Sequence, residues 1–525
     1  MNTKNNLPLY FSIAIVIGIY IGSIFNFSDE SSFFRAENSH GNKLKKLLQF
    51  IENDYVDAIN TEEIIDEVIY ELIGKLDPHS AYIPKEQFLG TTENLRGDFE
   101  GIGVQFKMHK DSLVVTHVLK EGPSEKAGLL AGDRILRAGK DTLFDRSLGS
   151  REIVKILKGP KESEVLLDVY RRDSTDILTF SIKRNKVKIQ SAEVAYMLSD
   201  SLGYIKLDRF AMTSARDFER QIKVLKNQGA SNLVVDLRQN GGGYIHIANQ
   251  IIDQFLPAGK LIVFTESKNG KKEEFYATES GAFEEGTIYV LIDEGSASAS
   301  EIFAGALQDN DKGVIVGRRS FGKGLVQQER QLGDGSAVRL TIARYFTPTG
   351  RSIQKPYTMN GSAAYAESFE NRFLNGELLS KDSIKVTDSL KYTTPGGKVV
   401  YGGGGIIPDV FVPIDTTRYL ENKYVFNITS FSFDYADQNR TRLIKSGVAA
   451  FVNELDTTSE LIESYIAAYG KPSWNLTEKR REILRHYLKV LIIRQVFGET
   501  DFYIENNKKD IVIQKVLGLD AAVEN

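Results

Sequence analysis

The residues most suited to chemistry lie at Gly295-Ser296-Ala297-Ser298-Ala299-Ser300-Glu301. An apolar run, Thr287 to Asp293, leads into them and a helical pattern, Ser300 to Gln308, leads out. A serine on such a strand-to-helix turn is exposed. The neighbouring amides and the helix N-terminus favour a developing negative charge. The same run also reads as a helix cap, with Glu301 satisfying the first turn. A serine nucleophile needs a base. Of the histidines His40, His79, His109, His117, His246 and His486, only His246 falls in the surrounding α/β region, and a helical pattern there suits a surface or packing role. The other candidate is Lys323 in Phe321-Gly322-Lys323-Gly324. An amine acts as a base only when neutral, so burial away from carboxylates would have to lower its pKa by several units. An exposed turn lysine is the plainer reading. A phosphate-binding lysine fits poorly, because Gly-x-x-x-x-Gly-Lys-Ser/Thr is absent. Gly241-Gly242-Gly243 follows a strand and has amides to offer an oxyanion or a phosphate. Glu301 and Asp309 suit hydrogen bonding and helix ends better than an acid pair.

These residues sit in a chain of 525 residues, long enough for several cores. With 42% hydrophobic and 26% charged residues the balance is globular. Lys plus Arg number 66 against 70 Asp plus Glu, a net charge of −4, which gives no pull toward nucleic acid. There is no cysteine, which removes disulfides, thiolate zinc sites, iron–sulfur clusters and cysteine nucleophiles. His-Glu-x-x-His is also absent, so neither a metal nor a cofactor is expected.

From the N-terminus, Leu7 to Phe27 is uncharged and mostly apolar, with Lys4 before it and Asp29 and Glu30 after. As a helix it reaches about 30 Å, a bilayer's width. It ends without an A-x-A cleavage pattern, so an uncleaved anchor is favoured over a signal peptide. This predicts an envelope protein anchored in the inner membrane with the rest of the chain in the periplasm. Leu44 to Leu76 reads as two helices, the second ending near Gly74 and followed by Leu76-Asp77-Pro78-His79-Ser80. Gly97 to Val187 changes to short strands: Val104–Met108, Leu113–Val118, Arg134–Ala138, Glu164–Tyr170 and Leu178–Lys183. A one-turn helix closed by Gly128 and a helix over Ser150–Leu157 lie among them. From Ser201 to Asp409 strands and helices alternate, which predicts a mostly parallel sheet with ligands at its carboxyl ends. Residues 357–395 read as an irregular insertion. The last hundred residues read as helical, with Arg442–Leu455, Ser459–Tyr469 and Glu478–Phe497 periodic.

Taken in order and spacing, these motifs resemble the C-terminal processing (tail-specific) peptidases, the S41 serine peptidases, from about Leu44 to Val412. The carriers are Leu76–Ser80, Gly101-Ile102-Gly103-Val104, Ala127–Leu129 with Gly132–Leu136, Asp236–Gly243, and Gly295–Asp309. Phe321–Gly324 with Gln327, Tyr345–Gln354 and Gly405–Asp409 complete the set. The resemblance implies an α+β and α/β multidomain chain: a mixed α/β S41 core of the ClpP/crotonase-like kind, an inserted PDZ β-domain and a helical C-terminal domain. The expected divisions are 1–28 anchor, 29–43 tether, 44–96 helical part of the protease, 97–187 PDZ, 188–412 protease core and 413–525 helical domain. It further implies a Ser–Lys dyad, choosing Ser298 as nucleophile over Ser296 and Ser300, with Lys323 as base and Gln327 orienting it. Amides of Gly242, Gly243 and Ala299 would form the oxyanion hole. The loop Gly101-Ile102-Gly103-Val104 would hold a substrate's terminal carboxylate. The expected partners are protein C-terminal tails and, through the N-terminus, the membrane, with a second copy or an adaptor protein also envisaged and no nucleic acid. The insertion and the long helical C-terminus depart from the family pattern. A PDZ scaffold with an inactive protease fold, and a hydrolase using His246, are the competing readings.

Overall fold

The computed structural model describes residues 39–524, apart from 145–147, 173, 280, 360, 472–473 and 475. The apolar segment Leu7–Phe27 lies outside them. No helix among the described residues is long and apolar enough to cross a membrane. The chain divides at Leu72/Ile73. Before that point, helix Ser39–Asp54 and most of Thr61–Gly74 carry exposed apolar side chains, Phe50 and Leu72 among them.

The centre of the larger part is a six-stranded sheet. Its order is Ala195–Met197, Leu202–Lys206, Asn232–Asp236, Ile288–Ile292, Gly313–Gly317, Val410–Phe411, with only the first strand antiparallel. The middle strands are buried on both faces, as covered parallel strands must be. Side chains alternate between two cores. Ile205, Val235, Val290 and Ile315 join helices Ser214–Asn227, Ile245–Ile252 and Ala299–Asp309 on one face. Tyr204, Val234, Tyr289 and Val316 meet Val512, Ile513 and Val516 of the last helix, Ile511–Glu524, on the other.

A second, wholly antiparallel sheet was not anticipated from the alternation of strands and helices. It holds Ala81–Ile83, Leu261–Ser267, Lys272–Tyr276, Leu325–Gln331 and Ala337–Phe346. The strand Leu325–Gln331 pairs only with Ala337–Phe346, leaving one edge unpaired among the described residues. Its hairpin partner alternates buried and exposed positions only loosely, which is why its period is faint in the sequence. The insertion also differs from its reading as irregular. It contains helix Ser362–Leu374, and Lys391–Thr393 pairs with Val399–Tyr401 just beyond it.

The strands and helices expected between Gly97 and Val187 form as their spacing predicts, with Gly128 in the left-handed region closing Pro123–Ala127. The C-terminal helices Ile428–Ser446, Val448–Thr457, Glu460–Tyr469 and Glu478–Val496 share their own core, and Gly447 divides what reads in sequence as one stretch, Arg442–Leu455.

One fully buried ion pair joins the helix after the serines to the later motif: Arg351 Nη2 lies 2.7 Å from Asp309 Oδ1, with both side chains inaccessible. Thr349 Oγ1 donates to the other Asp309 oxygen at 2.7 Å. Replacing Arg351 by Ala strands a buried carboxylate. It is expected to cost about 3–5 kcal/mol, read as a lowered urea midpoint; an unchanged midpoint would contradict this account.

Candidate active site

Strand Ile288–Ile292 and helix Ala299–Asp309 meet at a turn in which Ser298 takes φ 57°, ψ −113°. A non-glycine residue there is strained by about 1–3 kcal/mol and is held by its surroundings. The three candidate serines separate clearly. Ser296 Oγ donates to Leu237 O and Ser300 Oγ to Asn240 O, each at 2.8 Å, and both residues are buried. Only Ser298 lines the open cleft. Packing thus sets Ser298, at the cleft, apart from the two serines held in the interior.

Glu301, on the first turn of the helix, is fully buried. Its Oε2 accepts from the Ser298 amide at 2.9 Å and the Lys323 amide at 2.8 Å. Its Oε1 accepts from Ser320 Oγ at 2.5 Å and the Gly322 amide at 2.7 Å. Burial raises its pKa, and the four hydrogen bonds oppose that rise. The Tyr345 hydroxyl lies 2.7 Å from Lys323 O and 3.2 Å from Ser298 O, a second tie between the same two segments. The supporting roles of Tyr345 and Asn240 were not read from the sequence. Glu301, three residues after Ser298, was the available signal for its bond to the Ser298 amide.

Lys323 is half-buried and lines the same cleft of about 530 Å³ as Ser298. Its Nζ donates to Gln327 Oε1 at 2.8 Å, and Gln327 Nε2 donates to the carbonyl of His79. No hydrogen bond joins Lys323 to Ser298 among the described residues. Desolvation, with the Arg339 cation adding to it, lowers the Lys323 pKa to about 8 against the opposing charges of Glu301 and Asp77. His246 is exposed on helix Ile245–Ile252 and does not line the cleft.

The glycine loop presses on the serine. A side chain at Gly242 would stand 2.7 Å from Ala297 O and 2.8 Å from Ser298 Cβ, so only glycine fits. Of the three amides expected to face an oxyanion, that of Gly242 already donates to Asn240 Oδ1 at 2.9 Å. The amides of Gly243 and Ala299 carry no hydrogen bond among the described residues.

The profile of peptidase family S41 matches residues 201–360, and a PDZ profile matches 101–184. Residues 419–498 match a family of unknown function. The carboxy-terminal processing protease CtpA of Bacillus subtilis (strain 168) is 30% identical over 67% of this chain and 76% of its own length. The chain belongs to the S41 peptidases. It is a serine-type peptidase of the carboxy-terminal processing kind. CtpB of the same organism is 32% identical over 60% of this chain, which spans 65% of that relative's length. Among solved structures, the photosystem II D1 C-terminal processing protease is 25% identical over 72% of this chain and 87% of its own, with a TM-score of 0.36.

In this peptidase a second, smaller groove of about 250 Å³ runs between strand Val104–His109 and helix Ser150–Leu157 of the PDZ domain. Ile102, Gly103 and Val104 line one end of it. Gly103 has φ 81°, and the carbonyls of Ile102 and Gly103 accept from Ser124 N and Leu119 N at 2.9 and 3.0 Å. The amides of Ile102 and Gly103 carry no hydrogen bond among the described residues. Helix Lys85–Arg96 supplies Glu93 to this groove and Leu95 to the serine cleft.

The Lys323 amine is expected to titrate near 8. Arg339→Gln removes the cation that lowers it and leaves Glu329, which Arg339 contacts at 2.6 Å, unpaired. Both changes favour the ammonium, so the titration should move upward. NMR of isotope-labelled lysine side chains reads it; a downward or absent shift would contradict the assigned cause.

Proposed function

We propose that the peptidase cleaves protein chains near their C-termini with Ser298 as nucleophile and Lys323 as its base. Neutral Lys323 takes the Ser298 hydroxyl proton as Oγ attacks the peptide carbonyl. The oxyanion forms toward the amides of Gly243 and Ala299. The lysine ammonium then protonates the leaving amine, leaving an acyl ester on Ser298. Water, giving its proton to Lys323, hydrolyses that ester and frees Ser298. Gln327 holds the amine in place. The observation that carries this reading is the pairing, in one cleft, of the single serine not spent on a carbonyl with a lysine whose pKa is lowered to about 8.

The substrate reading rests on two features. Residues 325–329 line the cleft in succession along the unpaired edge of their strand, which suits an extended peptide added as a further strand. In the PDZ groove, the amides of Ile102 and Gly103 suit a terminal carboxylate, with Phe106, Val154 and Leu157 offering apolar contact to the last side chains. Anchoring in the cell envelope through Leu7–Phe27 remains part of the proposal, carried by the sequence alone.

The test is cleavage of an unstructured reporter protein ending in apolar residues. Ser298→Ala and Lys323→Ala should each lower kcat by more than about a thousandfold. Below pH 8 the wild-type rate should fall about tenfold per pH unit, following the neutral amine. Amidation of the reporter's C-terminus should lower kcat/KM. Retained turnover in Lys323→Ala would refute the dyad, and indifference to amidation would refute tail recognition.

A further inference from the structure

The insertion between Gln354 and Gly402 interrupts motifs that the family resemblance places close together, and its helix Ser362–Leu374 does not lie apart from the site. Tyr365, Phe369 and Arg372 fall at i, i+4 and i+7, on one helical face. That face meets the loop carrying Lys323. Phe369 packs on Phe321 with ring centroids 5.8 Å apart. Arg372 Nη1 donates to Ser320 O at 2.8 Å, and its Nε lies 2.7 Å from Glu377, which also holds Arg319. Tyr365 is 8% exposed. Its hydroxyl lies 2.9 Å from His79 Nε2, and the two rings meet edge to face at 5.1 Å. Lys355 Nζ sits over the Tyr365 ring at 3.8 Å and donates to its carbonyl at 3.1 Å.

His79 is the residue whose carbonyl receives Gln327 Nε2, and Gln327 Oε1 receives the Lys323 amine. A continuous chain therefore runs from the inserted helix to the amine: Tyr365 hydroxyl, His79 ring and carbonyl, Gln327 amide, Lys323 Nζ. On the other side, Asp77 fixes the His79 backbone, accepting from its amide and that of Ser80 at 2.8 Å each. The His79 amide is held by Asp77 and its ring by Tyr365, so the carbonyl that receives Gln327 is tied on both sides. Glutamine has two rotatable amide orientations of similar energy, and the one that offers Oε1 to the lysine is selected because Nε2 needs an acceptor.

We propose that Tyr365 is a positioning residue for the peptidase reaction, acting through His79 and Gln327 to hold the Lys323 amine toward the cleft. The insertion is thus a brace of the catalytic lysine and not a surface decoration. This rests on the dyad reading above.

Tyr365→Phe keeps the ring, its packing on His79 and the cation contact with Lys355, and removes only the hydroxyl. On the tailed reporter it should lower kcat about tenfold with KM within about twofold. Gln327→Ala should lower kcat at least as much. The double variant should then be no slower than Gln327→Ala alone, because both remove one chain of contacts. A general loosening of the fold would instead multiply the two losses. A multiplied loss, or a Tyr365→Phe enzyme with wild-type kcat while Lys323→Ala is dead, overturns the brace and leaves the dyad standing. Turnover retained in Lys323→Ala overturns both.

Discussion

A single buried carboxylate sets the geometry of this site. Glu301 offers two oxygens, and four donors from two separate segments use them: the Ser298 amide on one side, Ser320 Oγ and the amides of Gly322 and Lys323 on the other. A carboxylate without partners in that environment would be very costly, so the loop and the turn are drawn to it together. The same arrangement reconciles two demands on Lys323. A nearby anion favours the ammonium, whereas the proposed role as base needs the amine neutral. Glu301 directs its charge at backbone amides, and the Lys323 amine points away to Gln327. Desolvation and Arg339 then outweigh the carboxylate, and the pKa settles near 8.

The site lies where two differently built sheets meet. The parallel sheet delivers Ser298 at the carboxyl end of a strand, as α/β sheets commonly place functional groups. The antiparallel sheet delivers the cleft edge, Gln327 and Tyr345. Neither sheet alone presents both partners. Tyr345 stitches them, its hydroxyl reaching the carbonyls of both Ser298 and Lys323.

What the sequence made legible follows from this division. The parallel strands are continuous apolar runs, and helix Ala299–Asp309 follows its serine turn, so this half reads directly from periodicity. The strands of residues 101–184 are short runs rich in β-branched and apolar residues, with Glu164–Tyr170 and Leu178–Lys183 alternating, so they read as well. The antiparallel strands do not. Lys272–Tyr276 is largely exposed and Leu325–Gln331 is mostly polar at the cleft edge, so neither shows a clear apolar period. The difference among the three serines was also hidden, because it depends on which hydroxyls find carbonyls 59 and 60 residues away in sequence. The insertion's helix was hidden for another reason: its face is covered by aromatic and charged groups and not by an aliphatic stripe.

The remaining feature to account for is the concentration of unusual backbone. Gln239 has φ 60°, Gly242 101°, Gly243 150° and Ser298 57°, in the glycine loop and the serine turn that meet at the cleft. The glycines adopt such angles at little steric cost, but Gln239 and Ser298 do not. The strain at Gln239 is held by Asp293, which accepts its amide at 2.9 Å and its side-chain Nε2 at 2.7 Å. The preceding residue, Arg238, is clamped by Asp236 at 2.6 Å and by Asp510 of the C-terminal region at 2.8 Å. Thus the segment leading into the last helix, far from the serine in sequence, helps fix where the glycine loop begins. Because Gly242 lies against Ser298 Cβ with no room for a methyl group, a shift in that starting point would press directly on Ser298. Packing the final helix on the outer face of the parallel sheet is therefore part of building the site, and the strained segment is supported from the C-terminal region as well as from the sheet itself.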